Sequence, residues 1–124
     1  MIIEIDFNSN EAFYLQLRRQ IILEIAASGL KEGEYLPSVR QLAEEIGINM
    51  HTVNKAYTVL KQEGFIKVDR RGAIIAVDTD KLRAMEELRE ELQMMIAKGI
   101  CKDISREEMH GLIDEIYKNY GGLQ

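Results

Sequence analysis

The chain has 124 residues, of which 46% are hydrophobic, so it suits one compact domain, or a small domain with an appendage, and it is too apolar for wholesale disorder. Its net charge is −5, and its single cysteine excludes an intrachain disulfide and a cysteine-based metal cluster. The longest apolar run, residues 73 to 77, is too short to cross a membrane, and the N-terminus lacks the basic segment and apolar core of a signal peptide. We therefore predict a soluble cytoplasmic protein that does not associate with membranes.

The N-terminal part of the chain is predicted to form a short arm and one long helix. Residues 2 to 5 alternate weakly, as in a strand or an arm, and the polar residues 8 to 10 offer helix caps. Apolar residues then recur at intervals of four, which predicts a helix from about residue 11 to residue 28 that Gly29 ends. The residues of this stripe are Phe13, Leu17, Ile21 and Ile25, with Tyr14 and Ile22 beside them.

Two short helices joined by a tight turn are predicted in the middle of the chain. Ser38, followed three residues later by Gln41, has the pattern of a capping box and starts the first helix. Gly47 follows the last apolar residue of that helix, where glycine tolerates the left-handed conformation that ends a helix. Asn49 can cap the second helix, and Gly64 ends it. A helix, a short turn and a second helix form the helix-turn-helix arrangement.

The second of these helices has one apolar and one polar face. The apolar side chains, which are predicted to face the first helix, are Val53, Ala56, Tyr57 and Leu60. The polar side chains on the opposite face include His51, Thr52, Asn54 and Lys55. Hydrogen-bonding groups without a carboxylate near a helix N-terminus suit a recognition helix that reads DNA bases. The alternatives are that His51 and Asn54 are ordinary exposed residues and that Thr52 caps the helix, whereas Lys55 is predicted to meet a phosphate.

Two β-prone runs, residues 65 to 68 and 73 to 77, flank a glycine-containing turn and predict a β-hairpin. Its tip carries Arg70, Arg71 and Gly72. Two adjacent arginines at a hairpin tip suit contact with DNA phosphates or with the minor groove. The alternative is a charged tip that only keeps the hairpin from associating with other strands.

The acidic net charge runs against DNA binding, but it is unevenly distributed. Residues 35 to 72 contain six Lys and Arg against four Asp and Glu, a balance of +2. Residues 80 to 124 contain seven Lys and Arg against ten Asp and Glu, a balance of −3. The acidity therefore lies mainly outside the presumed reading surface. We expect weak binding to random DNA and a steep loss of binding with salt.

Two amphipathic helices are predicted at the C-terminal end. The first runs from about residue 80 to residue 98 and is stopped by Gly99, and a capping box of Ser105 and Glu108 starts the second, which Gly121 and Gly122 end. The apolar residues predicted to form a dimer contact are Leu82, Met85, Leu88, Leu92, Met95, Ile96, Met109, Leu112, Ile113, Ile116 and Tyr117. About 45 residues do not make an independent core, so we expect a second copy of the chain to cover this surface.

Several motifs occur in order at the spacings of a known family. They are residues 36–43, 52–53, 56–57, 63–64 and 70–72, with residues 14–17 upstream. On these motifs the chain resembles the GntR family of bacterial winged-helix transcription regulators over roughly residues 1 to 77. With two predicted helices after this range, the chain is also similar to the YtrA subfamily, in which two helices replace the large effector domain of other members. The resemblance implies that Arg40 contacts a base or a phosphate. Ser38 is first a helix cap, and a phosphate contact from its hydroxyl or from a nearby amide is secondary. The residues predicted to bind DNA are Ser38, Arg40, Asn49, His51, Thr52, Asn54, Lys55, Arg70, Arg71 and Gly72.

No sequence motif of an enzyme is present. The chain lacks a glycine-rich phosphate loop, a nucleophile elbow and a zinc-protease motif. His110 is isolated, and Cys101, predicted to lie in the loop between the last two helices, is interpreted as an inert thiol. We predict no catalytic activity, no metal and no cofactor.

These observations together predict a mainly α fold with a small β-hairpin. Residues 1–78 are predicted to form a winged helix-turn-helix DNA-binding domain, and residues 79–124 a helical hairpin for dimerisation. The predicted function is sequence-specific binding of double-stranded promoter DNA, as a homodimeric bacterial repressor on a two-fold related operator. The alternative is a winged-helix module that docks on another protein. The sequence specifies neither the operator nor a small-molecule effector.

Overall fold

Helices follow one another along the chain, with one short β-hairpin between the third and the fourth. The structure, a computed structural model, describes residues 1–120. Its elements are α1 Phe13–Ala26, α2 Val39–Ile46, α3 Met50–Gln62, β1 Ile66–Asp69, β2 Gly72–Ile75, α4 Lys81–Cys101 and α5 Arg106–Lys118. The chain divides into two units, Met1–Asp78 and Thr79–Gln124. The prediction of a mainly α fold with a small hairpin is confirmed, and none of the described helices is long and apolar enough to cross a membrane.

The core of the first unit is built around α3. Helices α1 and α2 and strand β1 all pack against it. Its side chains Val53, Ala56 and Leu60 are fully buried, as are Leu17 and Ile21 of α1. Each fully buried leucine or isoleucine contributes about 1.5–3 kcal/mol to folding. The predicted apolar stripe of α3 is therefore confirmed, and its burial fixes which face of this helix remains at the surface.

The N-terminal arm is not a strand, but two glutamines of α1 hold it as a neighbouring strand would. The buried Gln16 accepts a hydrogen bond from the Asp6 amide (2.8 Å) and donates one to the Asp6 carbonyl (3.0 Å). One turn later, Gln20 accepts from the Glu4 amide (3.0 Å) and donates to the Glu4 carbonyl (2.7 Å). The side-chain amides thus satisfy backbone groups that would otherwise need a sheet partner or water.

Helix α1 is shorter than predicted at both ends. Its N-cap is Ala12, whose side chain cannot accept a hydrogen bond, so the expectation of a polar cap from residues 8 to 10 is wrong. Ser9 instead accepts from the Glu11 amide (3.0 Å) within the preceding turn. The helix ends at Ala26, and Ser28 then takes a left-handed backbone conformation with φ +62°.

The predicted cap residues Ser38, Gly47 and Asn49 are confirmed, although Ser38 makes only one half of the predicted capping box. Ser38 Oγ accepts a hydrogen bond from the Gln41 amide (3.1 Å) at the start of α2. Gly47 ends that helix in the left-handed region, with φ +74°. Asn49 Oδ1 accepts from the His51 amide (2.7 Å) at the start of α3. Polar N-caps contribute about 1 kcal/mol each, so this short turn defines where α3 begins.

The hairpin is antiparallel, with Ile66 opposite Ile75 and Asp69 opposite Gly72. This register leaves residues 70 and 71 as the turn, as predicted. A single β-bridge joins Tyr35 to Ile74, so the segment before α2 flanks the second strand. This bridge connects the hairpin to the segment that leads into the helix-turn-helix.

The second unit differs from the prediction around Gly99. Helix α4 continues to Cys101, so Gly99 does not stop it, and Cys101 is an exposed helical residue rather than part of the loop. Gly99 is a buried residue of α4, and a Cβ there would make ordinary contacts, 3.6 Å from Met109 Sδ and 3.8 Å from Ile104 Cβ. The position therefore faces Met109 of α5 from inside the helix. Gly121 and Gly122, predicted to end the last helix, lie outside the described residues.

The predicted capping box at the start of α5 is confirmed. Ser105 Oγ accepts a hydrogen bond from the Glu108 amide (3.1 Å), and the Glu108 side chain accepts one from the Ser105 amide (2.9 Å). The pKa of Glu108 is lowered mainly by this bond from the Ser105 backbone. Hydrogen bonds between two residues three apart in sequence therefore determine where α5 begins.

The apolar side chains of α4 and α5 lie at the surface of the single chain. Ten of the eleven residues predicted to form a dimer contact are exposed, and Met109 is half-buried. The exposed fraction is 81% at Leu82, and it is still 36% at Leu92. The second unit therefore presents continuous apolar stripes that this chain does not cover by itself.

Replacing Gly111 of α5 with alanine is expected to raise the free energy of unfolding by about 0.5–1 kcal/mol. Gly111 is exposed, and a Cβ there would meet nothing within 4 Å. Urea denaturation at one fixed protein concentration measures the effect. The same replacement at Gly47 should lower stability by about 1 kcal/mol, because φ there is +74°. A destabilised Gly111→Ala variant would contradict the described environment of α5.

Candidate nucleic-acid interface

The ten residues predicted to contact DNA lie at the surface of the first unit. Eight are exposed, namely Ser38, Arg40, Asn49, His51, Asn54, Lys55, Arg70 and Arg71. Thr52 and Gly72 are half-buried. All ten belong to the start of α2 with its cap, the first two turns of α3 with its cap, or the hairpin turn with the first residue of β2. Each predicted position is thus accessible to a macromolecular ligand.

Helices α2 and α3 bring Arg40 next to the start of α3. One open hollow of about 360 Å³ is lined by Arg40, Ala43, Glu44, Ile48 and Met50. The arginine comes from the first turn of α2, and the methionine is the first residue of α3. A group that enters this hollow would meet a guanidinium and the N-terminus of α3 together.

The electrostatics at the two helix starts favour an anion. Neither α2 nor α3 has an acidic residue in its first turn. The amide groups at a helix N-terminus carry a partial positive charge, which attracts phosphate. Glu44 lies one turn into α2 and also lines the hollow, so it restricts which groups Arg40 can meet. The arrangement can bind a phosphodiester backbone and present side chains to base edges.

Tyr57 fixes α3 to the segment that precedes α2. The side chain is buried, and its hydroxyl donates a hydrogen bond to the Pro37 carbonyl (2.8 Å). Burial raises the pKa of Tyr57, and the charge of Glu45 raises it further, so the hydroxyl keeps its proton. Because Pro37 adjoins the cap residue Ser38, this bond sets the position of α2 relative to α3.

Replacing Tyr57 with phenylalanine is expected to lower the free energy of unfolding by about 1 kcal/mol, the usual contribution of such a hydrogen bond. Urea denaturation measures the difference. Tyr35→Phe is the matched control, because it also removes a tyrosine hydroxyl bond, but at an exposed position where water can replace it. An equal loss in both variants would show that burial of the Tyr57 bond does not matter.

The turn of the hairpin is held by Asp69. Asp69 Oδ1 accepts a hydrogen bond from the Arg71 amide (2.8 Å), and Oδ2 accepts one from the Tyr35 hydroxyl (2.5 Å). The bond from Tyr35 and the backbone bond from Arg71 lower the pKa of Asp69, while the same Asp69 contact raises the pKa of Tyr35. The carboxylate therefore shapes the turn that presents Arg70 and Arg71. Sequence reasoning missed Tyr35 because no local pattern connects it to the hairpin.

Tyr14, which the stripe of α1 placed in the core, does pack against the core cluster, but its contact with Lys55 was missed. The residue is only half-buried, and the ammonium of Lys55 lies 4.1 Å from the centre of its ring. The contact joins α1 to the exposed face of α3. Tyr57 belongs to the core cluster, and the half-buried Phe65 packs against it.

The part of the chain that the structure describes contains no cluster of three or more histidine, cysteine or acidic side chains that could hold a metal ion. The side chains at the candidate interface are instead cations, amides and hydroxyls. These groups recognise phosphates and base edges by hydrogen bonding.

Comparison with known proteins connects this interface to a family. The model of the family described as "Bacterial regulatory proteins, gntR family" matches residues 13–75. That range extends from the first residue of α1 to the last residue of β2, so it includes every element that carries the candidate interface.

The similarity to individual proteins extends over nearly the whole chain. The HTH-type transcriptional repressor YtrA of Bacillus subtilis (strain 168) is 34% identical over 125 residues, which cover 97% of this chain and 95% of that protein. A transcriptional antiterminator from Listeria monocytogenes EGD-e has a solved structure that is 33% identical, with a TM-score of 0.85 and coverage of 98% and 95%. YtrA from Sulfolobus acidocaldarius, a GntR-family transcription factor, is 37% identical, with a TM-score of 0.60 and coverage of 94% and 97%. These relatives are named as regulators of transcription, not as enzymes.

Proposed function

The chain belongs to the GntR family of bacterial regulatory proteins, as a YtrA-like DNA-binding transcription regulator, and from that premise we propose that it is a repressor that binds promoter DNA as a homodimer. The observation that carries this proposal is the pair of carboxylate-free helix starts at α2 and α3, with exposed hydrogen-bonding side chains on both. A two-fold related operator would present one half-site to each copy.

Within the first unit, we assign different tasks to three groups of side chains. The N-terminal half of α3 enters the major groove, where His51 and Asn54 can reach base edges. Arg40, beside the start of α3, reads a base or holds a phosphate. Lys55 and the arginines of the hairpin turn hold the backbone on either side. Residues 1–78 are thus the proposed DNA-binding domain.

The second unit is the proposed dimerisation domain. Its apolar stripes on α4 and α5 are exposed in the single chain, and large exposed apolar patches mark interaction sites. A second copy presents the same stripes, so two-fold pairing would bury both sets at once. The dimer would then present two recognition helices, one from each copy.

The proposal also covers the sense of regulation, the place of action and the site of any effector. The Bacillus subtilis relative is named a repressor, and the same sense of regulation is the proposal for this chain. A regulator of promoters has to reach the chromosome, so we place its action in the cytoplasm. An effector, if one acts, would have to bind at the dimer interface or near residues 77–80.

The test of this function is fluorescence anisotropy on duplex DNA from upstream of the protein's own gene. A scrambled duplex of the same composition is the control, and both are titrated across a salt series. We expect the upstream duplex to bind at least ~10³-fold more tightly than the scrambled one. Both affinities should fall steeply with salt, because cationic side chains that neutralise phosphates release counterions from the DNA. Equal and weak binding to a panel of upstream duplexes would instead favour a winged helix that docks on a protein.

A further inference from the structure

The contact between Lys55 and Tyr14 is a feature of the first unit that general DNA recognition does not require. The lysine lies on the exposed polar face of α3, and its ammonium is 4.1 Å from the centre of the Tyr14 ring. Attraction between a cation and an aromatic face operates within about 6 Å of the ring centre. The pair is therefore well inside the range of a cation–π interaction.

The side chain of Tyr14 packs against the core of the first unit. Tyr14 is the second residue of α1, and the next turn of that helix carries the fully buried Leu17. The neighbouring residue Phe13 meets Phe7 edge to face, with ring centres 5.3 Å apart. The buried Gln16 holds the N-terminal arm through two hydrogen bonds with Asp6 and donates a third to the Glu11 carbonyl. Tyr14 thus lies on a helix whose neighbouring side chains are buried or paired, and its ring meets the ammonium of Lys55.

A lysine side chain is long and flexible, so an unrestrained ammonium samples many positions and loses that freedom when it meets a phosphate. An ammonium resting on a ring has already lost part of the freedom. It also keeps donors for another partner, because it has three N–H groups and the ring occupies only one side.

We propose that Tyr14 is a positioning residue for DNA binding, which holds the ammonium of Lys55 where it meets a phosphate of the operator. This inference rests on the proposed function, since it specifies how one of the backbone contacts is prepared. Because Tyr14 belongs to α1, the proposal extends the residues that support DNA binding beyond the helix-turn-helix and the hairpin.

The test is a double-mutant cycle measured by operator binding at one salt concentration. Tyr14→Leu removes the aromatic face but keeps an apolar side chain, and it should weaken binding by about two- to fivefold. Tyr14→Phe keeps the face and should restore the affinity. In a Lys55→Met background, Tyr14→Leu should have no further effect.

Lys61 supplies the matched control. It is an exposed lysine of the same helix, six residues later, and the effect of Tyr14→Leu should persist in full in a Lys61→Met background. A second readout needs no DNA. Ring currents should shift the side-chain methylene protons of Lys55 upfield in the NMR spectrum of the free protein, and Tyr14→Leu should abolish the shift while the other resonances of the core stay in place.

The outcomes separate this inference from the function beneath it. If Tyr14→Leu weakens binding equally with and without Lys55, or if Tyr14→Phe is as weak as Tyr14→Leu, the positioning role is overturned although operator binding stands. If the wild-type protein fails to distinguish operator from scrambled DNA, the proposed function falls, and the positioning role falls with it, even where the NMR shift shows that the pair exists.

Discussion

Replacing Arg40 with alanine is expected to weaken operator binding by about 30-fold or more without unfolding the protein. A good bidentate contact between arginine and a base contributes about 1–3 kcal/mol of discrimination, and a dimer loses two such contacts. The side chain is exposed at the first turn of α2, so its removal leaves the core cluster intact. Anisotropy measures the affinity, and circular dichroism through a thermal melt checks the fold.

Arg40→Lys distinguishes the effect of the planar guanidinium from the effect of the positive charge. Lysine keeps the positive charge but lacks the planar fork that binds two acceptors at once. Binding to scrambled DNA should therefore be retained, while the preference for the operator should fall. If Arg40→Ala leaves a tight operator complex unchanged, Arg40 does not read the operator, and the hollow it lines with Met50 is not part of the interface.

Prediction from sequence succeeded where a structure is determined by neighbouring residues. Ser38 and Ser105 are helix caps in the structure because the group each one bonds lies three residues away. Gly47 marks the turn because only a glycine enters the left-handed region at little cost. These local rules fixed the helix-turn-helix and the start of α5, and the hairpin followed from its two β-prone runs.

Prediction failed where a distant partner decides the outcome. Gly99 has the local appearance of a helix end, but Met109 and Ile104 pack against it, and the helix continues. Tyr14 and Tyr35 were missed at the interface for the same reason, since their partners Lys55 and Asp69 are far away in sequence. The side chains proposed to bind DNA could be named from a motif, whereas those that contact and orient them required the fold.

A single charged residue in the stripe of α4 is expected to dissociate the dimer and to lower operator affinity by about 10²–10⁴-fold. Met95→Glu would bury a carboxylate in the proposed contact of each copy, and an unpaired buried charge costs several kcal/mol. A monomer binds one half-site and loses the gain in effective concentration that a second linked site provides. Light scattering measures the mass, and anisotropy measures the affinity. Deleting residues 80–124 should likewise give a monomer.

The adjacent residue offers the control for this experiment. Met94 and Met95 are both exposed, at 60% and 55%. At about 100° per residue, Met95 lies beside Leu92 on the stripe, while Met94 lies about 160° from Leu92, on the opposite face. Met94→Glu should therefore leave both the mass and the affinity unchanged. If the two variants behave alike, or if the truncated chain remains a dimer, the contact between copies is formed by another surface, and the stripes of α4 and α5 must be covered by a different partner.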